Sequence, residues 1–502
     1  MPDLNLSMFK AYDIRTPSAA LTPELATRLA RAEAVYFTQH VGVTDIVLAR
    51  DARSTGGEYL EIATEQYLAA GLNVMVVPGV SSTSMFYFAA MKYPDAAAIC
   101  FGASHNPSGD TGQKILGPGV RPIARGIGVD GGLDKIQALY EAGAVAEVAE
   151  VRGRIGVYDP MAEYIEYSME LAGVTEGSLS GLKLLHDYLH GAAGREMMLA
   201  FQRAGAALTP LHFEADGRFP LGDPNPVKED VIAAGIQALN DGDFVFGTFF
   251  DGDGDRVDFY RGDGAYLSSS FVYAAILPAI YARMGGADVG VYADLKCNPL
   301  ALMEMTQCGV SNNIIRNGHS QIKDALYETP NMLGAVEESA HFYEAFSYNG
   351  DRFCTENTLY VALLVARMWK ENPARFDELL AIQASTARAR EWGHKFPTDE
   401  ARAGALSAVE AHFVAQGTAV MSEMPNGWDL EATILRRGIP FAIGSGVTLT
   451  GDWIQVCQRI SQSENGLARW EIVAATPEIA RRAKQDVLGI VAGFGASEEY
   501  QG

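Results

Sequence analysis

The chain has 502 residues and carries 39 Lys and Arg against 62 Asp and Glu, a formal net charge of −23. That length suggests roughly two to four domains at ~100–200 residues each. An apolar content of 48%, with 52 glycines against 21 prolines, describes a globular chain with ample core material and not a disordered one. So acidic a protein is not a general binder of nucleic acid or anionic membranes, since both surfaces repel it. If its substrate is an anion, it must gather cations locally against its own field. Five scattered cysteines (Cys100, Cys297, Cys308, Cys354, Cys457) form no CxxC pair, which argues against a disulfide framework or a zinc site. The segment Met1–Lys10 has no basic stretch leading into an apolar one, and no window approaches ~18 uninterrupted apolar residues. The expectation is a cytoplasmic protein with no membrane or nucleic-acid partner.

In chain order, Leu21–His40 reads as an amphipathic helix and Asp45–Ala49 as a buried strand. Glu58–Ala70 is helical, Asn73–Val77 a strand, Met85–Met91 a helix and Ala96–Gly102 a strand of small residues. Strands alternating with helices of this length favour βαβ units and mostly parallel sheets. A helical segment around Asp159–Gly173 leads to strands at Leu182–Tyr188 and Phe244–Phe250. The pattern then returns at Val289–Leu295, Ile314–Ile315 and Met332–Val336. The charged stretch Arg375–Gly404 reads as a linker. A helix at Ala405–Gln416 and strands around Trp453–Gln458 and Ala468–Ala475 suggest a smaller α+β domain. The expected fold class is α/β: three similar mixed-sheet domains (1–158, 159–262, 263–385) plus a C-terminal α+β domain (386–502).

Three of these strands run into polar turns bearing Gly or Ser, and ligand sites in open α/β sheets form beyond the carboxyl ends of strands. Asp251-Gly-Asp253-Gly-Asp255-Arg256 is the sharpest of these turns. Its alternating carboxylates, with glycines that allow tight turning, can converge on a hard cation such as Mg²⁺. An EF-hand is excluded, because the positions that need Gly and Glu hold Arg256 and Gly262. Ser104-His105-Asn106-Pro107, followed by Gly112 and Lys114, offers a serine that can be a nucleophile, a phosphorylation site or a turn hydroxyl. Glu337-Glu338-Ser339-Ala340-His341 offers acceptors of the kind that bind sugar hydroxyls. In the last domain, Arg459, Ser461, Gln462 and Ser463 suit a tetrahedral phosphate, with the guanidinium binding bidentately.

Together, and in this order, the loops resemble those of the α-D-phosphohexomutase superfamily, the phosphoglucomutases and phosphomannomutases. Phe9-Lys-Ala-Tyr12-Asp-Ile-Arg15 resembles the family's opening F-[RK]-x-Y-D-[IV]-R, and Arg50-Asp51-Ala-Arg53 its G-R-D-x-R. Ser104-His-Asn-Pro107 through Lys114 is similar to the phosphoserine loop, Phe219-Pro through Pro226 to an F-P…P-N-P segment, and Asp251–Arg256 to the metal loop. Asp294-Leu-Lys296-Cys297, Gly318-His319-Ser320-Gln-Ile-Lys323, Glu337-x-Ser339-x-His341 and Arg459-x-Ser461-x-Ser463 resemble later segments. Thr111, Val336, Glu338, Ala340, Gln462, Ser463 and Asn465 depart from the usual pattern, so the loops facing the sugar have drifted more than the chemical ones.

The resemblance implies four domains around a central cleft. It implies a phosphorylated Ser104, Mg²⁺ on that phosphate and Asp251, Asp253 and Asp255, and a hexose 1,6-bisphosphate as intermediate and activator. Lys114, Arg15, His105 and Arg256 would act on the transferring phosphoryl, and Lys114 could serve as a base only if nearby cations lowered its pKa. Tyr12, Lys296, His319, Glu337, Ser339 and His341 would contact the sugar, and Arg459, Ser461, Gln462 and Ser463 the other phosphate. The implied activity is interconversion of hexose 1- and 6-phosphates of glucose or mannose. An amino-sugar phosphate mutase and a non-catalytic sugar-phosphate-binding relative are the alternatives. The implied partners are small sugar phosphates, and the protein would be a monomer or small homo-oligomer.

Overall fold

The computed structural model describes residues 4–286, 288–424, 426–444, 446–461 and 466–501. Two compact units are present. One comprises residues 1–266, 319–330 and 341–371, and the other comprises residues 267–318, 331–340 and 372–502. Both are built from mixed or antiparallel sheets packed with helices, so the fold class is multidomain α/β, as expected.

In the first unit, the buried strand Asp45–Arg50 lies between Asn73–Val76 and Ala97–Phe101, parallel to both. Ala97–Phe101 then turns into the antiparallel strand Asp110–Gly117, and Ile14–Pro17 pairs with the far side of that strand. The serine loop is therefore the turn between a parallel strand and an antiparallel one. A second sheet repeats this arrangement. Phe246–Phe250 runs parallel to Lys183–Asp187 and antiparallel to Val257–Arg261, and the turn after Phe250 is Asp251–Arg256. The strands feeding both turns are buried throughout, which is why they read as apolar runs without alternation. The helix Pro23–Val35 starts on a Thr22 cap and runs into a short π-turn, Tyr36–Val41, where a single long helix was expected.

That helix buries Glu33, whose Oε2 accepts the Tyr67 hydroxyl at 2.6 Å. Burial pushes the Glu33 carboxyl up to about 8. An unfolded glutamate ionises near ~4.3, so between these values unfolding releases a proton and stability declines as pH rises. Glu33→Gln is expected to be more stable than wild type at pH 9 and no more stable at pH 5, as read from urea midpoints.

In the second unit, Gly290–Asp294 runs parallel to Ser311–Ile315 and to Met332–Glu337. An antiparallel sheet orders Ala419–Glu423, Asp429–Arg437, Ile454–Ile460, Leu467–Ala474 and Ala387–Lys395. The expected linker at 375–404 is instead structured. It holds the helix Pro373–Ala384, which buries Phe376, Leu379 and Leu380, the strand Ala387–Lys395, and the start of the helix Asp399–Ala415. Its charges misled because they are paired internally. Arg388 meets Glu338 at 2.9 Å and Glu471 at 2.6 Å, while Glu391 is surrounded by cations.

Candidate active site

Ser104 lies within the first turn with a φ of 48°, a strained geometry for a residue with a Cβ, and it is 1% exposed. Its Oγ donates to Asp251 Oδ2 at 2.9 Å and lies 3.1 Å from His105 Nδ1. Two glycines permit this meeting of loops. A Cβ on Gly252 would fall 2.7 Å from the Ser104 carbonyl oxygen, and one on Gly112 would fall 2.0 Å from the Ile14 carbonyl oxygen. Lys114 Nζ reaches across from the next strand to donate to Asp253 Oδ2 at 2.6 Å and to Asp255 Oδ2. Thr83 holds the other side of the metal loop, its hydroxyl donating to Asp253 Oδ2 at 2.6 Å. Arg15 is aimed at the serine loop by Asp13 (2.7 Å) and donates to Asn106 Oδ1 at 2.8 Å.

Carboxylate oxygens of Asp251, Asp253 and Asp255 lie within 4.8 Å of one another, all in buried side chains. Burial and the two neighbouring carboxylates push Asp251 far up. Burial also opposes ionisation of Asp253 and Asp255, but Lys114 outweighs it and holds both below the ordinary range. Asp253 Oδ1 and Asp255 Oδ1 have no hydrogen-bond partner among the described residues. An all-oxygen donor set with two bare oxygens fits a hard divalent cation. The condition under which Lys114 could serve as a base is not met: burial opposes its charge, but Asp253 and Asp255 raise its pKa well above the ordinary lysine range. In this arrangement it is a fixed cation, not a base.

Around this centre, His319 Nε2 lies 3.9 Å from Asp13 Oδ2, and Tyr12 packs edge-on against the ring at 5.9 Å. Burial, with Lys323 nearby, pushes His319 down to about 4, leaving it neutral at pH 7. His341, expected to contact the sugar, lies among the metal-loop charges. Its Nε2 accepts from Arg256 Nε at 3.0 Å, and its Nδ1 lies 3.8 Å from Asp255 and 3.6 Å from Glu356. Since a guanidinium always donates, the imidazole proton belongs on Nδ1, facing the two carboxylates.

The second unit holds the other predicted residues. Asp294 Oδ1 accepts the Lys296 backbone N–H at 2.6 Å, and the Lys296 ammonium lies 3.6 Å from both Asp294 and Glu391. Glu337 Oε1 accepts from Gly318 N and from Asn317 Nδ2, both at 3.1 Å. Ser339 is half-buried in the following turn, and Ala340, at the place of a usual glycine, takes a φ of 72°. Ser461 is buried, with its N–H on the Leu467 carbonyl at 2.9 Å. Gln462 and Ser463 lie outside the described residues. Arg459 binds Glu391 through Nε at 3.3 Å and Nη2 at 2.9 Å. Residues the motifs did not single out for a role include Arg53, Thr83, Glu356, Glu391 and Arg469. Of these, Arg53 alone had a visible signal, its place in Arg50-Asp51-Ala-Arg53.

The first unit thus sets a buried serine beside a carboxylate cluster suited to a metal, with Lys114, Arg15 and Arg256 around them. Residues 6–126 match "Phosphoglucomutase/phosphomannomutase, alpha/beta/alpha domain I" and residues 162–264 match domain II of the same family. The chain is 30% identical to the phosphomannomutase of Escherichia coli K12 over 355 residues, 68% of this chain and 74% of that one. It is 29% identical to the phosphomannomutase of Salmonella montevideo over 424 residues, covering 83% and 88%. Among solved structures, a phosphoglucomutase/phosphomannomutase family protein of Burkholderia thailandensis matches with a TM-score of 0.76 at 22% identity, over 98% of each chain. The Aspergillus fumigatus N-acetylphosphoglucosamine mutase in complex with GlcNAc-6P and magnesium matches at a TM-score of 0.54 and 10% identity, over 97% and 96%. The chain belongs to the α-D-phosphohexomutase superfamily and is an isomerase. Among the described residues, no helix is long and apolar enough to cross a membrane.

Proposed function

We propose that the protein interconverts hexose 1-phosphate and hexose 6-phosphate of glucose, mannose or both, through phospho-Ser104 and a hexose 1,6-bisphosphate. The observation that carries this reading is the buried Ser104 Oγ, 2.9 Å from a carboxylate of the metal loop, with the Lys114 ammonium on that same loop. A hydroxyl oxygen of the sugar monophosphate bonds to phosphorus as the Ser104 Oγ–P bond breaks. The proton that the hydroxyl loses is balanced by the one that Ser104 Oγ regains. His105 Nδ1, 3.1 Å from Oγ, is the group in reach to deliver it. The intermediate turns over and returns its other phosphate to Ser104, which yields the isomer.

Asp251, Asp253, Asp255 and the Ser104 phosphate would hold Mg²⁺, which when bound neutralises charge on the phosphoryl group. Lys114, Arg15 and Arg256 stabilise the equatorial oxygens in the transition state. Tyr12, Lys296, His319, Glu337, Ser339 and His341 bind the sugar. Arg459 and Ser461, with Gln462 and Ser463, grip the phosphate that is not being transferred. The parts 1–158, 159–262, 263–385 and 386–502 would each bring one of the four loops. The reading includes a cytoplasmic enzyme working as a monomer or small homo-oligomer.

Intact-mass measurement after incubation with glucose 1,6-bisphosphate and Mg²⁺ should show one added phosphoryl group, absent in Ser104→Ala. Assays on hexose and N-acetylhexosamine 1-phosphates should show isomerisation of the hexose substrates. Full turnover in Ser104→Ala would defeat the mechanism. Preference for N-acetylhexosamine phosphates would move the substrate to amino sugars, and net phosphate release would make the protein a phosphatase.

A further inference from the structure

The edge of Arg459 that suits a phosphate is already engaged. Nη2 donates to both oxygens of Glu391, at 3.1 Å to Oε1 and 2.9 Å to Oε2, and Nε donates to Oε2 at 3.3 Å, so the side-on edge with which a guanidinium takes phosphate is occupied. Two further cations reach the same carboxylate, Arg469 Nη1 at 3.0 Å and Lys296 Nζ at 3.6 Å. Glu391 sits on the strand Ala387–Lys395, paired antiparallel to Leu467–Ala474, which also carries Arg469. Arg459 comes from the neighbouring strand Ile454–Ile460. Burial works against ionisation of Glu391, but Arg459, Lys296 and Arg469 overcome it and hold the carboxyl far below the usual glutamate range. The residue is therefore a resident anion within a cluster of cations.

We propose that Glu391 is an exchangeable counter-ion for Arg459, giving up the guanidinium to the non-transferring phosphate of the substrate and reclaiming it when that phosphate leaves. This rests on the reading of Arg459 as a phosphate ligand. The three-cation seat is what makes the exchange possible. A carboxylate held by Arg459 alone would be left unpaired and largely shielded from water on displacement, at a cost. Arg469 and Lys296 keep it paired while Arg459 turns away. The exchange also serves the reaction, because a bisphosphate that must turn over midway has to be released by the group that grips it. Binding energy retained equally at every stage would lower KM without helping turnover. A competing anion on Arg459 weakens the grip and speeds its release.

The test compares Glu391→Gln, Glu391→Asp and Arg459→Gln in the intact protein. It measures steady-state kinetics with glucose 1-phosphate or mannose 1-phosphate, competitive inhibition by inorganic phosphate, and urea midpoints. In Glu391→Gln the inhibition constant for phosphate and the KM should both fall about tenfold, with kcat falling in parallel so that kcat/KM is retained. Glu391→Asp, with its carboxylate drawn back from Arg459, should shift in the same direction by less, which keeps the test available if the glutamine variant folds poorly. Arg459→Gln should raise both constants. If Arg459→Gln raises them while both Glu391 variants leave them unchanged or raised, the counter-ion role is overturned and the phosphate reading survives. If Arg459→Gln leaves both constants unchanged, the phosphate reading fails and the inference falls with it.

Discussion

Lys114→Met is expected to cut kcat by about a thousandfold while the protein binds Mg²⁺ more tightly than wild type. The two effects separate because Lys114 does two things. Its ammonium donates to Asp253 and Asp255 and offsets part of the charge of the buried carboxylate cluster. Removing it restores negative potential at the cluster, so a divalent cation gains attraction, by at least ~10-fold in affinity even at a high effective dielectric. In the proposed reaction the same ammonium stabilises the charge that develops on the transferring phosphoryl. Those carboxylates hold it protonated, so its loss removes a permanent donor from the proposed transition state. Calorimetric titration with Mg²⁺ and initial rates on the hexose phosphate together check the prediction. Weaker metal binding in the variant would show that Lys114 positions the aspartates more than it competes with the cation. Thermal denaturation gives an independent check, since the ligand-free variant should be less stable and should gain more stability from added Mg²⁺ than wild type.

The parts of this protein that are local in sequence were legible from it, and the parts that depend on distant partners were not. The strands leading to Ser104 and Asp251 are buried on both faces, so they appear as apolar runs ending abruptly in turn residues. Spacing alone brings Asp251, Asp253 and Asp255 together. That Lys114 bridges two of them, across 139 and 141 residues of chain, was not readable, and so neither was its raised pKa. Glu391 illustrates the converse. Among Arg388, Arg390 and His394 it looks like one charge in a solvated linker, and only the pairing of its strand with Leu467–Ala474 shows its carboxylate lying among cations. Nor do the motifs reveal the partners of Arg15, Lys114, Arg256 and Arg459, the cations read as meeting the phosphates. Each already has a carboxylate partner, Asp13, the Asp253/Asp255 pair, Asp251 and Glu391 respectively. A charge-balanced cluster costs less to fold than a bare cationic one.

Arg53→Ala is expected to destabilise the first unit by about 3–5 kcal/mol and to leave Ser104 poorly phosphorylated even in molecules that remain folded. Arg53 is 1% exposed, and its two terminal nitrogens donate to four backbone carbonyls of the serine loop. Nη2 reaches Ser104 O at 2.9 Å and Asn106 O at 2.6 Å, and Nη1 reaches Pro107 O at 2.5 Å and Asp110 O at 3.0 Å. On the other side, Asp51 accepts the Arg53 and Ala103 backbone N–H groups at 2.9 and 3.2 Å and lies 3.3 Å from Arg53 Nε. The loop is thus wrapped around one guanidinium, and the left-handed Ser104, a conformation costing ~1–3 kcal/mol, persists because those bonds determine the backbone on both sides of it. Deleting the side chain strands four carbonyls and a buried Asp51. Arg53→Lys should recover little, because an ammonium has three donors on one atom and cannot span carbonyls spread over seven residues. Urea denaturation of the ligand-free protein measures the first effect, and the phosphoserine yield after incubation with glucose 1,6-bisphosphate measures the second. Full phosphorylation of Arg53→Lys would show that charge alone, and not the fork of the guanidinium, shapes the loop.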